Sequence, residues 1–174
     1  AQSHARLTAN ELHDYRSIVG QLAWPAREIM PQIAYAVSDL QQKVSTAMIG
    51  DLIHANNTLA KAKRHVELGQ KLRFQHLDKG HLGLSAVHDA SFAGQRDGGS
   101  QQAYAILRAP QELADSRVRT HLLDWGSSKI KRKCRSTLSC EAASAARSYD
   151  RGCFARVMLK EIETGLPSKW ERPW

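Results

Sequence analysis

The sequence predicts an α+β protein in which a helical N-terminal region precedes a three-stranded antiparallel meander and one long helix. Apolar residues recur at helical spacing over residues 11–68, alternate with polar residues in the short segments that follow, and return to helical spacing over residues 140–164. The chain has 174 residues, of which 42% are hydrophobic and 24% charged, so it is long enough to bury a core. We predict two regions, residues 1–69 and residues 70–174.

Three helices are predicted in the first region. The first carries five apolar residues on one face: Leu12, Tyr15, Ile18, Val19 and Leu22. Pro25 is expected to end this helix, because proline has no amide hydrogen to donate. A second apolar stripe begins after Pro31 and consists of Ile33, Ala34, Val37, Leu40 and Val44. The third helix runs from about Met48 to Leu68, and Gly69 is a suitable C-cap.

Alternation of apolar and polar residues begins at "KLRFQHL" (71–77), which predicts a strand. Three more strand candidates follow, "GLSAVHDAS", "GGSQQAYAILRA" and "RTHLLDWGS", separated by glycine-rich or charged turns typical of an antiparallel meander. Asp89 is expected near the end of a buried strand. The helical pattern returns from Cys140 to Thr164, with Gly165 and Pro167 as its end.

The net charge of +8 favours a polyanionic partner. Its densest part is "KIKRKCR", whose cations are Lys129, Lys131, Arg132, Lys133 and Arg135. Two interpretations stay open for this segment: a solvated surface loop, or a nucleic-acid contact. Since no apolar run approaches the length of a membrane span, we expect no membrane partner.

Three cysteines without C-x-x-C spacing indicate ordinary thiols in a reducing compartment, so we expect the protein inside the cell, in cytoplasm or nucleus, with an organellar assembly as an open alternative. The N-terminus lacks the apolar stretch of a secretory signal. Nothing in the pattern predicts export.

Four separated segments resemble, in order, the C-terminal part of copia-type LTR retrotransposon polyproteins: "YRSIVGQLAW", "PQIAYAVSDL", "HDASFAG" and "LLDWGSSKIKRKCRSTLSCEAASA". The resemblance runs from about Tyr15 to Ile162. In that family a helical connection follows the reverse transcriptase, and a ribonuclease H domain follows the connection. The resemblance therefore implies a connection in residues 1–69 and a partial ribonuclease H-like domain in residues 70–174.

The resemblance also implies site residues. Asp89 matches the family's first catalytic aspartate, Glu141 matches its helix-borne catalytic glutamate, and "SSKIKRK" matches its basic stretch. Two Mg²⁺ (or Mn²⁺) ions cleaving the RNA strand of an RNA–DNA hybrid need several convergent carboxylates, because hard cations prefer oxygen ligands. Glu141 is expected in the first helical turn, where the helix dipole favours a carboxylate. Considered on its own, Asp89 is typical of a turn or cap residue, and Glu141 is typical of a helix-capping partner.

The sequence departs from the family pattern at two places. Before the second helix it has "MPQI" where the family has an Arg-Pro-Asp triplet, and no strand with a further aspartate is visible before "SKWERPW". The metal site is thus expected to be incomplete and Mg²⁺ or Mn²⁺ to bind weakly. His88 is interpreted as a structural or exposed residue, and Trp125 as a core or sheet-edge aromatic, with stacking on a base or sugar as the alternative. Asp124 is left outside the site.

Two functions are therefore compatible with the sequence. In one, the chain belongs to a polyprotein whose complete ribonuclease H domain cleaves RNA in RNA–DNA hybrids. In the other, it is a catalytically inactive structural or RNA-binding component of a larger assembly. The partners are RNA–DNA hybrid or RNA, together with the rest of a polyprotein or that assembly.

Overall fold

The computed structural model describes residues 3–74, 76–77, 82–110 and 118–165. It contains helices α1 (Ala9–Glu28), α2 (Ala34–Gln42), α3 (Ile49–Glu67) and α4 (Thr137–Thr164), and strands β1 (Leu82–Ser91), β2 (Gln101–Pro110) and β3 (His121–Lys129). Backbone packing groups the chain into a unit of Ala1–Leu72 with Gly126–Lys129, and a unit of Arg73–Trp125 with Ile130–Trp174. The predicted α+β class, antiparallel meander and long helix are confirmed.

The first unit contains the three predicted helices. Thr8 caps α1 in a reciprocal pair: its hydroxyl accepts the amide hydrogen of Glu11, and the Glu11 carboxylate accepts the Thr8 amide hydrogen at 2.8 Å. The bond from the Thr8 backbone amide, and after it a bond that the Thr8 hydroxyl donates to the same carboxylate at 2.8 Å, lower the pKa of Glu11. The start of α1 is thus fixed by two residues that the sequence places three positions apart.

Pro25 does not end α1, contrary to the prediction, because the helix continues to Glu28. Proline costs the helix one hydrogen bond through its missing N–H, but its carbonyl still accepts. The amides of Ile29 and Met30 donate to that carbonyl at 3.0 and 2.7 Å. Helical residues on both sides of Pro25 are buried in one apolar cluster, comprising Leu22, Ala26, Met30, Ile33, Val37 and Ala62. Burial therefore holds the last turn in place.

A second apolar cluster surrounds Tyr15 and joins all three helices through Val19, Leu40, Ala47 and Ala55. Tyr15 is fully buried, and its hydroxyl donates to the Leu40 carbonyl at 2.7 Å. A buried hydroxyl without a partner is costly, so this bond decides how deeply the ring can be buried.

Two buried carboxylates share one ammonium group where α2 leads into α3. Lys43 Nζ lies 2.6 Å from Asp39 Oδ2 and 3.6 Å from Asp51 Oδ1. The other oxygen of Asp51 accepts the Met48 amide hydrogen at 3.0 Å and so caps α3. Since buried charges need partners, Lys43 offsets part of the charge of both carboxylates.

The second unit is built on the sheet, with strand order β1-β2-β3. Strands β1 and β2 pair antiparallel along their whole length, from Leu82 opposite Pro110 to Ser91 opposite Gln101. The prediction of a strand at residues 71–77 is wrong for the six residues described there, because they lie outside every helix and strand. Residue 75 lies outside the described residues. Alternation alone does not make a strand, because a ladder also needs a partner strand.

Helix α4 begins at Thr137, three residues before its predicted start, because Ser136 is its N-cap. It ends where predicted, at Gly165, whose φ of 65° is left-handed. Small buried residues of α4 lie toward the sheet, namely Cys140, Ser144 and Ser148. Among the described residues, no helix combines the length and the apolar character needed to cross a bilayer.

Replacing Tyr15 by phenylalanine should lower the free energy of unfolding by about 1 kcal/mol, the net value of one buried hydrogen bond. The ring stays, so the loss reports the bond to the Leu40 carbonyl. Tyr35→Phe is the control, because Tyr35 is 56% exposed. Urea unfolding measures both, and equal stability of the two variants would contradict the assignment.

Candidate active site and nucleic-acid interface

Asp89 lies on an edge strand, not at the end of a buried one as expected. In the sheet order β1-β2-β3, β1 has a neighbour on one side within the described residues. The residues from Ala86 to Asp89 are exposed. Asp89 pairs with Ala103 of β2. Its carboxylate is therefore accessible to solvent and to ligands.

The backbone around Asp89 is oriented by Ser144 of α4. The Ser144 hydroxyl lies 2.8 Å from the Asp89 carbonyl oxygen and 3.1 Å from that of Ala103. One hydroxyl reaches both oxygens only if they lie between the two strands, as in a hydrogen-bonded antiparallel pair. The peptide groups of the next residue, Ala90, then point to the open edge. Asp89 Oδ1 accepts the Ala90 amide hydrogen at 2.9 Å, so this carboxylate lies at the open edge of β1.

Glu141 lies in the second turn of α4, not in the first as predicted, because the helix starts at Thr137. It therefore lies beyond the first-turn N–H groups, whose partial positive charge favours a carboxylate. Glu141 is half-exposed, and its Oε2 lies 3.7 Å from Nδ1 of His88. Glu141 is thus beside the strand residue that precedes Asp89.

The two predicted metal-binding carboxylates belong to neighbouring stretches of β1 and α4. Successive strand side chains leave opposite faces, so His88 and Asp89 start on different faces of the sheet. In the part of the chain that the structure describes, no three His, Cys, Asp or Glu side chains are arranged to hold a metal ion. Glu141 lies with α4 on the face of the sheet that carries Ala86 and His88, whereas the Asp89 side chain starts on the other face, so the structure does not bring these two carboxylates together. Asp89 and Glu141 would also need further ligands to form a two-ion site.

Asp124 binds the side chains of Arg151 and Tyr104. Its Oδ2 accepts Nε and Nη2 of Arg151 at 2.7 and 2.6 Å, and the Tyr104 hydroxyl at 3.2 Å. Desolvation opposes the charge on Arg151, but the bond to Asp124 leaves the pKa of Arg151 above its ordinary value. The neighbouring Trp125 is 8% exposed, which agrees with its interpretation as a core aromatic.

The predicted basic residues occupy the end of β3 and the loop that follows. Lys129 is the last residue of β3 and is half-buried, whereas four loop cations are exposed: Lys131, Arg132, Lys133 and Arg135. The loop is held at its beginning, where buried Ile130 donates its amide hydrogen to the Ser100 carbonyl at 2.8 Å. At its end, Ser139 Oγ lies 3.2 Å from the amide nitrogens of Arg135 and Ser136. Cations on a loop with two fixed ends suit an extended anion.

Sequence reasoning missed a second cationic group, on α4. The guanidinium groups of Arg147 and Arg151 both lie 5.8 Å from the centre of the Tyr104 ring. Arg151 is neutralised by Asp124, while exposed Arg147 has no ion pair within the described residues. The spacing of the two arginines, one helical turn apart, was visible in the sequence. The tyrosine beneath them was not, because it comes from β2.

Comparison with known proteins identifies no relative. No family model matches the chain. No curated protein and no solved structure matches it either.

Removing the Ser144 hydroxyl should loosen α4 on the sheet. We expect Ser144→Ala to lower the free energy of unfolding by about 1 kcal/mol, since the bonded carbonyls keep their partners in the ladder. Ser148→Ala is the matched control: Ser148 is equally buried, but its single bond, to the Val87 carbonyl, is longer at 3.4 Å. Thermal unfolding measures both, and an equal or larger loss in Ser148→Ala would contradict the role of Ser144.

Proposed function

We propose that the chain is the helical connection and partial ribonuclease H-like domain of a copia-type polyprotein, and that it binds RNA–DNA hybrids. Asp89 and Glu141 act as two of the carboxylates that hold divalent metal ions. The observation that supports this best is the packing of α4 against β1, where the Ser144 hydroxyl lies 2.8 Å from the Asp89 carbonyl. Glu141, three residues earlier, is on the same stretch of α4.

The donor chemistry of these residues suits Mg²⁺ or Mn²⁺. Both are carboxylates at accessible positions, and Asp89 Oδ2 accepts no hydrogen bond within the described residues. When bound, the ions would activate water and stabilise the charge that develops on a cleaved phosphodiester. The strand and the helix that carry the two carboxylates are fixed to each other, and the Asp89 carboxylate would have to reach around the open edge of β1 to share an ion with Glu141.

The basic loop supports hybrid binding. Its four exposed cations have no carboxylate partner in the described part of the chain, so their charge is available to phosphates. Arg147, held over Tyr104, offers a further cation farther along α4. Phosphate contacts of this kind position a duplex without reading its sequence.

Replacing Lys131, Arg132 and Lys133 together by alanine should weaken hybrid binding and reduce its salt dependence. Each lost phosphate contact lowers the slope of log K against log[salt] by about 0.9, because fewer counterions are released. Fluorescence anisotropy with a labelled RNA–DNA hybrid at several salt concentrations measures the slope.

The matched control for this variant is the alanine replacement of Lys61, Lys63 and Arg64, which removes three exposed cations of α3. It lowers the net charge equally and should leave the slope almost unchanged. An equal change in both triple variants would mean that net charge alone drives binding. An unchanged slope in the loop variant would make the loop a solvated surface.

Cleavage of the RNA strand by the 174-residue chain should be very slow, because two carboxylates supply few of the ligands that two ions need. Any cleavage should require Mg²⁺ or Mn²⁺ and disappear in Asp89→Asn and in Glu141→Gln while hybrid binding persists. Asp150→Asn is the control, because Asp150 is an exposed carboxylate of α4 outside the proposed site. The assay uses labelled hybrid, and robust cleavage that survives Glu141→Gln would overturn the site.

The alternative is a catalytically inactive RNA-binding component. It is favoured by the lack of any three metal-binding side chains in one place within the described residues. The two proposals differ in one readout. Salt-sensitive binding without metal-dependent cleavage, even at high Mn²⁺, supports the alternative.

A further inference from the structure

A cavity of about 350 Å³ lies between the second half of α4 and the beginning of β1. All of its described lining residues belong to the unit that contains the sheet. The nearest of them to Glu141 along α4 is Arg156, about 22 Å farther along the helix axis. None of these residues belongs to the basic loop or carries a proposed metal-binding carboxylate. The cavity therefore calls for its own explanation.

The sheet side of the cavity follows from the pairing of β1 with β2. The Ala86 Cβ lies 3.8 Å from the position that a Cβ of Gly152 would occupy, so Ala86 faces α4. Leu82 and Leu84 precede Ala86 by even numbers of residues and start on the same face. Arg108 pairs with Leu84 and shares that face. The α4 face of the sheet thus supplies two leucines and one arginine to the cavity.

The helix side of the cavity is one face of α4. Its residues recur every three or four positions: Arg156, Leu159, Lys160 and Glu163. Gly152, four residues before Arg156, lies on the same face and allows the helix to approach the sheet. Longer side chains follow on this face after Gly152. The space between them and the sheet is the cavity.

Three half-buried leucines give the cavity an apolar surface: Leu82, Leu84 and Leu159. A ligand with an apolar body would remove their remaining exposed area from water, which is favourable. Cavities of this size that bind small molecules combine such apolar walls with a few polar groups that orient the ligand. The described lining residues include no aromatic side chain on which a nucleobase could stack.

The charged groups of the lining differ in how far they are already paired. Arg108 Nη2 donates to Glu163 Oε1 at 2.5 Å, so these two charges offset each other. Arg156 and Lys160 are exposed and have no ion pair within the described residues. They are four residues apart, about 6 Å along the helix axis. Three cations and one carboxylate leave the lining with a net charge of +2.

We infer that this cavity binds a small amphiphilic carboxylate, in which one negative charge ends an apolar alkyl or aryl body. The carboxylate lies at Arg156 and Lys160, the two cations without a partner, and accepts charge-assisted hydrogen bonds from them. The apolar body lies against the three leucines. A nucleic-acid backbone fits less well, because it has no apolar part to cover leucines. The inference rests on neither hybrid binding nor cleavage.

The test uses octanoate as the probe and follows its titration into the folded 174-residue chain by amide NMR. We expect saturable shifts of the backbone amides of Leu82, Leu84 and Leu159, while the amides of the basic loop stay in place. Octanamide keeps the apolar chain and lacks the charge, and acetate keeps the charge and lacks the chain. Each should bind about tenfold more weakly than octanoate, or weaker still.

Replacing Arg156 and Lys160 together by glutamine should lower the affinity for octanoate about tenfold, because the charge-assisted bonds are lost. Both side chains are exposed, so the fold should not change. The matched control replaces Lys61 and Arg64, two exposed cations of α3, by glutamine. It lowers the net charge equally and should leave octanoate binding unchanged.

The titration of the unchanged chain tests the inference without any variant. Equal affinity for octanoate and octanamide would overturn it, as would octanoate shifts centred outside the cavity. An equal loss in both double variants would mean that net charge alone attracts the probe, and would overturn it too. Shifts of the cavity amides by an RNA–DNA hybrid but not by octanoate would assign the cavity to nucleic acid instead.

Discussion

The packing of α4 on β1 and β2 is the constraint on which the second unit depends. It is made by small side chains: Ser144 and Ser148 bond to strand carbonyls, and Gly152 approaches Ala86 and Ile106. The two serine hydroxyls donate to carbonyl oxygens of the β1–β2 ladder, so both buried hydroxyl groups have a hydrogen-bond partner. This close approach brings the second turn of α4 to the strand end that carries Asp89.

The open edge of β1 explains the behaviour of Asp89. Edge strands present unpaired amides, which proteins blunt with charged side chains. Asp89 does so by accepting the amide hydrogen of Ala90 on its own strand. One oxygen of the Asp89 carboxylate accepts this amide hydrogen, and the other oxygen stays exposed. The structural interpretation of Asp89 as a local cap and the functional one as a metal ligand are therefore compatible, since they use different oxygens.

Much of the fold could be predicted from periodicity, because helices, strands and caps are local. The three N-terminal helices, the meander and the Gly165 cap are examples. The errors arose where tertiary packing opposed a local preference. Burial on both sides carries α1 past Pro25, and the alternating segment at 71–77 pairs with no strand within the described residues. The site was less predictable. The contact between His88 and Glu141, and the stacking of Arg147 on Tyr104, join residues that are 53 and 43 positions apart.

The cations around α4 fall into two groups, those in ion pairs and those without one, and the net charge of +8 does not show this difference. Arg151 is committed to Asp124, and Arg108 to Glu163, so these pairs contribute structure and little net field. The loop cations and Arg147 have no such partners within the described residues. Positive potential therefore concentrates at the start of α4 and along the flank that carries Arg147. Because Glu141 lies on the second turn of the same helix, an anion drawn to this end of α4 arrives near Glu141. In the proposed function, the loop cations and Glu141 contact one hybrid only if the duplex crosses α4 near its N-terminus.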